Sequence, residues 1–534
     1  MPTLRYSDEI KSCPLGPLPI LLPFLEKIRL REIVDSLVPT TDRANISHGQ
    51  VMTALVLNRL ISPRALYAIR DWSDSLSFGD ALGIDPHHLN DDRLIRTLEA
   101  IYPHSEKLQG TLAWQIMDTF PLDTAFFHWD MTSFFFEGSY PEDDQDPKAS
   151  LIKRGRPKPQ DAGKHRKQMQ VGFATTSNEG IPFWYRTFNG NAAEVSQVAD
   201  VMDALRKVTR DKSFTLIGDS KLLSEKNINK ALQHGLYFLA PESRSAKRAE
   251  TYLPLRDKHS FQRLHVETTG KKQPIYLGFE TPVTLDIEGE QQSFRRLFIV
   301  SSEERRATRR SRERQQEKLY EGIAKAQRNL GRYSYTTPEK VAAKMDALLA
   351  KTDLRDVISY SIEGEGRDMK LTIIQDKEAF KRLRQMDGVY TLLTNLPETY
   401  GLESLLVRYK RQYLSEQRFA DLKGPLQLRP IFLKKNHRIV SLVSVVSIAL
   451  IVYCLMEHVV RKSIAEKQTT IPDLYSRRPI TKPTARRLLG AFEFYAVAKN
   501  VTDKGTEYTA PSMNNLQQQI LYHLDIEDPL IFLT

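Results

Sequence analysis

One carboxylate stands in the middle of a strongly apolar segment, "AFFHWDMTSFFFEG" at residues 125–138. The aromatic residues predict a β-strand in a core, and strand alternation places Asp130 on the same face as His128 and Thr132. A buried carboxylate is costly unless it is hydrogen-bonded, ion-paired or bound to a metal. Asp130 is therefore a candidate metal ligand, and the alternative is a structural acid bonded to backbone groups.

Two further acids stand where a site at a sheet edge could use them. Asp219 follows the short predicted strand "FTLIG", at the carboxyl end where open α/β sheets place their sites. Because Asp also commonly begins turns, a turn is the alternative for this residue. Glu416 belongs to a helix predicted over 402–423, in which side chains advance by about 100° per residue. One stripe of that helix contains Leu402, Leu405, Tyr409, Gln412, Glu416, Phe419 and Lys423.

The stripe begins apolar and has a polar centre. This pattern predicts a helix that faces the interior and supplies a carboxylate to a site, and the alternative is a polar patch that meets another domain. Three carboxylates on a strand, a strand end and a helix suit phosphodiester displacement, because they can hold two Mg²⁺ ions, for which Mn²⁺ can substitute. A glycosidase would need only two carboxylates. The sequence therefore predicts a two-metal site at Asp130, Asp219 and Glu416.

Clusters of basic residues accompany these acids. Residues 153–168 contain seven Lys or Arg and one Asp, and residues 404–438 contain nine basic and two acidic residues. Cations beside a metal-binding acid position phosphates by charge, whereas a solvated loop is the alternative for 153–168. Within that loop, "RGRP" looks like the core of an AT-hook, which reads narrow minor grooves. The DNA contacts predicted from this cluster are Arg154, Arg156, Lys164 and Arg166.

The composition indicates a folded, basic protein of several domains. Of its 534 residues 41% are hydrophobic, and 77 basic against 66 acidic residues give a net charge of +11 and a pI near 9.3. This length exceeds what one core serves, and the charge favours nucleic acid over a membrane as the partner. Cys13 and Cys454 have no metal-ligand spacing and fit a reducing compartment. We therefore expect a cytoplasmic, nucleoid-associated protein.

An uncharged run of 18 residues at 439–456 reaches the lower limit for a membrane span. Three serines recur in it at helical spacing, and charged residues bracket both ends. We predict a helix that is buried on nearly all sides in a large core, and a membrane span is the alternative.

Patterns along the chain predict five segments. The first is helical and serves DNA-end binding, dimerisation or both, and its "ISHGQ" offers Ser47 and Gln50 as a capping box. Strands and alternating helices then predict a mixed α/β domain, interrupted by a mostly β segment whose charged run 303–318 is predicted to be an exposed helix. A helical tail follows. The segments are 1–118, 119–236, 237–395 (the interruption), 396–465 and 466–534.

The blocks around the three acids resemble, in the same order, those of the DDE transposases of bacterial insertion sequences, in the group with a Tyr-x2-Arg-x3-Glu-x6-Lys signature. "WDMTSFFFEG" and "FTLIGDSKLLSEKNI" resemble the first and second aspartate blocks. "YKRQYLSEQRFADLKGPLQLRPIF" is similar to the signature block, with Tyr409, Glu416 and Lys423 in register. "GIPFWYRTFNGNAAE", "DGVYTLLTN" and the helical N-terminal region also match, so the likeness covers most of the chain. One position departs from the signature, because Gln412 stands where the family has Arg, with Arg411 just before it.

The resemblance implies a ribonuclease H-like catalytic core interrupted by a mostly β insertion domain, behind an all-helical N-terminal domain. It implies Mg²⁺-dependent cleavage at the terminal inverted repeats of a mobile element and strand transfer into target DNA. A homodimer would hold the two double-stranded ends together, with no other protein partner. Asp130, Asp219 and Glu416 would bind the metal ions, and Tyr409, Lys423 and Arg411 would contact DNA.

Two other functions stay open on the sequence. One is a ribonuclease H-like nuclease that cleaves DNA without joining it. The other is a catalytically inactive, transposase-derived DNA-binding protein. The presence of all three acids in register favours activity, whereas Gln412 in place of the signature Arg keeps the inactive alternative open.

Overall fold

The computed structural model describes residues 10–533, apart from 42–43, 139, 141–149, 156–164, 244–245, 268–272, 430, 477 and 503–504. Its contacts divide the chain into two units. The first unit comprises residues 1–218, 234–236 and 411–534, and the second comprises 219–233 and 237–410. Each unit contains helices and strands, so the protein is mixed α/β.

The helices in chain order are α1 Leu18–Lys27, α2 Leu30–Leu37, α3 His48–Ile61, α4 Ile69–Ser75, α5 Phe78–Leu82, α6 Asp91–Ile101, α7 Ser105–Thr119, α8 Glu194–Val208, α9 Glu225–Gln233, α10 Ala246–Arg256, α11 Ser302–Arg328, α12 Pro338–Leu349, α13 Lys377–Gln385, α14 Leu402–Lys410, α15 Tyr413–Lys423, α16 Asn436–Glu466, α17 Ala485–Gly490 and α18 Asn515–Leu524. The strands are β1 Ile10–Pro14, β2 Phe126–Phe135, β3 Lys153–Arg154, β4 Lys167–Thr176, β5 Pro182–Phe188, β6 Thr215–Ile217, β7 Tyr237–Pro241, β8 Gln262–Leu264, β9 Tyr276–Ile287, β10 Glu290–Ser301, β11 Ile358–Glu363, β12 Lys370–Gln375, β13 Val389–Thr394, β14 Ala496–Thr502 and β15 Gly505–Thr509.

The N-terminal region of the first unit is helical, as predicted. The capping box at α3 is present: the Ser47 hydroxyl accepts the Gln50 N–H at 3.1 Å, and the Gln50 side chain accepts the Ser47 N–H at 2.9 Å. The Asn90 side chain accepts the Arg93 N–H at the start of α6, 3.0 Å away. These caps satisfy backbone donors that have no partner inside a helix, and so fix where α3 and α6 begin.

The helix α16 forms the centre of the core of the first unit. It has 31 residues, and 94% of its most apolar window is buried. It packs against α3, α6, α18 and β5. In the described part of the chain it is the one helix long and apolar enough to cross a membrane by length and composition. The prediction of a buried helix over this run is confirmed.

A mixed sheet in the first unit supports the predicted site. Its central strand β2 pairs with β4 in antiparallel and with β6 in parallel orientation. The other side of β4 pairs with β3 and β5, both antiparallel, and a bulge in the β5 pairing falls between Ala174 and Thr175. The aromatic segment that contains Asp130 is therefore an interior strand, which explains why residues on both of its faces are buried.

A second, three-stranded sheet of the first unit pairs β1 with β14 and β14 with β15, all antiparallel. It adds strands to residues 466–534, which the sequence predicts to be a helical tail. The helices of this tail are α17 and α18. The tail therefore combines helices with a hairpin.

The second unit contains an antiparallel sheet in the order β7-β13-β10-β9-β8 and a separate hairpin of β11 and β12. The expectation that residues 237–395 are mostly β is wrong, because α10 to α13 also lie there and hold more residues than the strands. The longest of them, α11, is capped by Ser301, whose hydroxyl accepts the Glu304 N–H at 3.3 Å. Its many charges conceal a narrow buried stripe, at Leu319, Ile323 and Ala326, that holds it against α12.

Candidate active site

Asp130 lies in the middle of β2, opposite Phe173 of β4. The parallel neighbour β6 ends opposite His128, so β2 reaches Asp130 beyond the end of that strand. The Asp130 side chain is partly buried, and its Oδ1 accepts the backbone N–H of Met131 at 2.8 Å. Part of the structural reading of this acid is therefore correct, and the residue also lies just beyond the carboxyl end of the parallel strand β6, where α/β sheets place their sites.

The helix α15 lies on the face of β2 and β4 that carries Asp130. The Ser415 hydroxyl is 2.6 Å from that of Thr175, and the ring of Phe419 is 5.6 Å from the ring of Phe173. Directly opposite residues of paired strands share a face, so Phe419 packs beside the position of Asp130. These contacts fix both the height and the rotation of α15 over the strand.

The last turn of α15 completes this contact. Lys423 donates a hydrogen bond from its ammonium to the hydroxyl of Thr132, which shares the Asp130 face of β2. Glu416 lies two helical turns before Lys423 and so on the same side of α15. Glu416 is exposed, because other residues form the buried side of α15: Ser415, Arg418, Phe419 and Leu422. The first unit thus brings Asp130, Glu416 and Lys423 to one face of the sheet.

A buried network of charged side chains fixes α15 to the rest of the first unit. The Arg418 guanidinium is 1% exposed and lies 3.0 Å from a Glu457 carboxylate oxygen and 3.1 Å from one of Asp421. Its Nε donates to the Gly180 carbonyl at 2.7 Å, and the other Glu457 oxygen accepts the Ala485 N–H at 3.0 Å. Burial raises the pKa of Asp421, whereas the Arg418 charge lowers it. The network therefore ties α15 to α16, to α17 and to the turn before β5.

The prediction of one helix over 402–423 is wrong. The chain turns at Arg411 and Gln412, and α14 and α15 are separate helices. At the turn the Leu414 N–H bonds the Arg411 carbonyl, three residues back instead of the four of an α-helix. The Arg411 side chain donates to the side-chain oxygen of Asn178 in the first unit. The predicted stripe is therefore divided at this turn.

Asp219 begins the second unit, directly after the Gly218 that follows β6. Its Oδ1 accepts the Lys221 N–H at 3.0 Å, and the Lys221 ammonium lies 3.6 Å from Oδ2. The side chain is half exposed. Partial burial raises the pKa of Asp219, and the hydrogen bond from Lys221 lowers it. Asp219 thus caps a turn, as its alternative reading expects, and keeps a carboxylate face toward solvent.

Tyr409, the last but one residue of α14, lies close to Asp219 within the second unit. Burial raises the pKa of the Tyr409 phenol, and the negative charges of Asp219 and Glu304 raise it further. Its ring centre is 6.4 Å from that of Tyr390, over which the Lys410 ammonium lies at 5.0 Å. Burial lowers the pKa of Lys410, and Glu304 opposes this shift. Sequence reasoning missed Glu304, because it placed this residue on a merely exposed helix.

Two of the four basic residues predicted in the 153–168 loop can be located. The Arg154 guanidinium donates to the His165 carbonyl at 3.2 Å, and that of Arg166 lies 5.4 Å from the centre of the Phe135 ring. A further basic residue lies at the same ring: the Arg429 guanidinium is 5.8 Å from the centre of Phe135. Arg429 belongs to the basic span 404–438, which could have suggested it. Two predicted contacts lie outside the described residues: Arg156 and Lys164.

The predicted metal ligands are carboxylates, which are the hard oxygen ligands that Mg²⁺ prefers. Asp130 and Asp219 each place one oxygen on a backbone N–H, and Glu416 is exposed on α15. In the part of the chain that the structure describes, no three or more His, Cys, Asp or Glu side chains lie close enough to hold a metal ion. The donor chemistry fits Mg²⁺, and joint binding by the three acids stays a prediction.

Comparisons with solved structures give weak likenesses. A piggyBac transposase synaptic complex with hairpin DNA is 12% identical with a TM-score of 0.36, over 90% of this chain and 82% of that one. A Mos1 transposase paired-end complex with the left transposon end is 8% identical with a TM-score of 0.16, over 40% of this chain and 62% of that one. Both scores are too low to establish a fold. A search of curated proteins gave no match.

Two family models match the sequence. Residues 10–111 match a domain of unknown function, DUF4277. Residues 141–452 match the family described as the transposase DDE domain, a span that begins after Asp130 and includes Asp219 and Glu416. Because that match covers more than half of the 534 residues, the chain belongs to the DDE transposase family.

Proposed function

We propose that this transposase cuts the terminal inverted repeats of an insertion sequence and joins the ends to target DNA by Mg²⁺-dependent phosphodiester chemistry. The observation that carries the proposal is the position of α15 on the Asp130 face of β2, where the helix contributes Glu416 and Lys423. A strand carboxylate, a helix carboxylate and a lysine on one face suit metal binding beside a phosphate.

In this proposal Asp130, Asp219 and Glu416 hold two Mg²⁺ ions, for which Mn²⁺ can substitute. Such ions, when bound, activate the attacking oxygen and stabilise the leaving oxygen. Lys423, held by Thr132, places a positive charge beside a phosphate of the transposon end. Tyr409 would contact the same end through its phenol.

We further propose a ribonuclease H-like core, formed by 119–236 and 396–465 and interrupted by 237–395. The parallel pairing of β2 with β6 beside the antiparallel β2, β4 and β5 supports a mixed sheet of this kind. Residues 1–118 would bind DNA ends, dimerise or both, and two copies would hold the two ends. Light scattering of the purified complex with DNA ends would give its mass, and one copy per pair of ends would contradict the dimer.

Joining of pre-cut ends tests the function directly. We expect the protein, with Mg²⁺ and short duplexes that carry the recessed inverted repeat, to insert them into a supercoiled plasmid. The repeat is identified from the DNA that flanks the gene. Products are resolved as nicked and linear plasmid carrying the labelled end. A parallel reaction uses an uncut duplex that carries the repeat and its flanking DNA. Cleavage of this duplex without joining of the pre-cut ends would indicate a nuclease, and binding without cleavage or joining would indicate an inactive DNA-binding protein.

Lys423→Gln tests the predicted phosphate contact. We expect affinity for the transposon end to fall about fivefold to tenfold at low salt, and the slope of log affinity against log salt to decrease by about one. Thr132→Val is the matched variant, because it removes the hydrogen-bond acceptor of Lys423 and keeps the charge. It should leave the salt slope unchanged. An unchanged slope in Lys423→Gln itself would contradict the contact.

A further inference from the structure

A cleft of about 460 Å³ in the second unit is lined by six cationic side chains and, among the described residues that line it, by no acidic one. Its apolar surface comes from Tyr252 and Phe380. Burial raises the pKa of Tyr252, and the charges of Arg256 and Arg305, which line the same cleft, oppose this rise. The six cations are Arg256, Arg305, Arg309, Lys377, Lys381 and Arg384.

The cations come from three helices. On α13 and on α11, the spacing of the cations along the sequence places them on one face of the helix. The three on α13 are Lys377, Lys381 and Arg384, which follow one another at i, i+4 and i+7. Arg305 and Arg309 are one turn apart on α11, and the sixth cation is in the last turn of α10. The sequence "EERRATRR" mixes both signs, so its charge balance alone could not predict this separation.

Two carboxylates lie near the cleft: the charge of Asp257 acts on Tyr252, and Asp387 pairs with Arg309. Asp387 is fully buried and accepts hydrogen bonds from both terminal nitrogens of Arg312, which does not line the cleft. It also accepts from Arg309 at 3.3 Å, and its backbone carbonyl accepts from Arg305 at 3.4 Å. These bonds fix the two α11 guanidinium groups in place. The like charges that remain around the opening attract an anion.

We infer that this cleft binds backbone phosphates of double-stranded DNA. The three cations of α13 span about 10 Å of helix, a length that reaches more than one backbone phosphate. A single small anion would engage only part of a cationic surface that three helices share. The inference rests on the DNA-binding part of the proposed function and not on its catalytic part. It assigns a DNA contact to a segment that the sequence leaves without a role.

The test is equilibrium binding of the full chain to a labelled duplex in EDTA, across a range of salt concentrations. For Lys377→Gln/Lys381→Gln/Arg384→Gln we expect about a tenfold or larger loss of affinity near 0.1 M salt and a salt slope smaller by about two to three. The loss should be equal for the transposon end and for an unrelated duplex, because phosphate contacts do not read sequence.

The matched control is Arg306→Gln/Arg310→Gln/Arg314→Gln, which removes three exposed charges from α11 that do not line the cleft. An equal decrease of slope in both triple variants would overturn the inference, since it would reflect net charge alone. So would a saturable binding of pyrophosphate that is lost with the α13 cations while the affinity for the duplex and its salt slope stay unchanged, because the cleft would then be a small-anion site.

If the triple variant unfolds, the single variant Lys381→Gln still tests the inference, with an expected slope smaller by about one. An unchanged slope in a folded Lys381→Gln would contradict it. EDTA separates the two proposals. If the wild-type protein does not cleave with Mg²⁺ but the α13 variant still binds DNA more weakly in EDTA, only the catalytic mechanism is refuted. If the wild-type protein cleaves with Mg²⁺ but the α13 variant binds DNA normally in EDTA, only the cleft is refuted.

Discussion

Asp130→Ala is expected to lower the rate of Mg²⁺-dependent cleavage of the transposon ends by about 10³-fold or more, and so are Asp219→Ala and Glu416→Ala. Each change removes a carboxylate that we propose as a metal ligand. Bound metal ions supply several kcal/mol of charge stabilisation in the transition state, and every ~1.4 kcal/mol is a factor of ten in rate. Binding of the ends in a gel-shift assay should stay within about threefold, because the predicted phosphate contacts remain.

Two controls separate a ligand role from a structural one. Asp130→Asn keeps the volume of the side chain and should lose cleavage as fully as Asp130→Ala. Asp118→Ala removes an exposed acid of the first unit, which lies 3.6 Å from Arg210, and should cleave normally. Wild-type cleavage by Asp130→Ala would show that the site is wrongly assigned.

Arg418→Met is expected to destabilise the first unit by about 3–5 kcal/mol. The methionine fills much of the space of the arginine but leaves the Glu457 and Asp421 carboxylates without their shared cation, in a largely buried place. Removal of one partner from a buried ion pair typically costs this much, because the remaining charge is uncompensated. The loss should appear as unfolding of the first unit at lower denaturant concentration.

Tryptophan fluorescence measures this unit selectively, because the four tryptophans of the chain all belong to it: Trp72, Trp114, Trp129 and Trp184. Glu457→Gln keeps an oxygen for the Ala485 N–H and should destabilise less than Arg418→Met. Arg461→Gln removes a partly exposed partner 3.4 Å from Glu457 and should change the unfolding free energy by less than about 1 kcal/mol. Equal losses in Arg418→Met and Arg461→Gln would contradict the special role of the buried cation.

Much of the fold around the site could be predicted from local pattern. The aromatic run indicated the strand β2, and Ser47 marked the beginning of α3, because caps and alternation act over a few residues. The uncharged run at 439–456 indicated a buried helix for a similarly local reason. These features depend on neighbours in the sequence.

The features that escaped prediction depend on distant contacts. Neither Gly nor Pro marks the turn at Arg411 and Gln412, and the bond of Arg411 to Asn178 cannot be inferred from helical spacing. The charged α11 concealed a buried stripe, since a few apolar residues hold it to α12. Arg418 resembled any other basic residue of the signature block until Glu457, on another helix, was placed beside it. Of the candidate site, the joint role of Asp130, Asp219 and Glu416 stays a prediction, and the contact of Lys423 with Thr132 could not be inferred from the sequence.

The central position of α16 has a consequence for how the protein is synthesised. Residues 1–218 leave the ribosome before the 31-residue helix that forms the middle of their core has been made. The ribosome first translates residues 219–410, which takes about 10–40 s at roughly 5–20 residues per second. During this interval the apolar surfaces that α16 later covers are exposed on the nascent chain. The core of the first unit can therefore close only after the whole of the second unit has been synthesised.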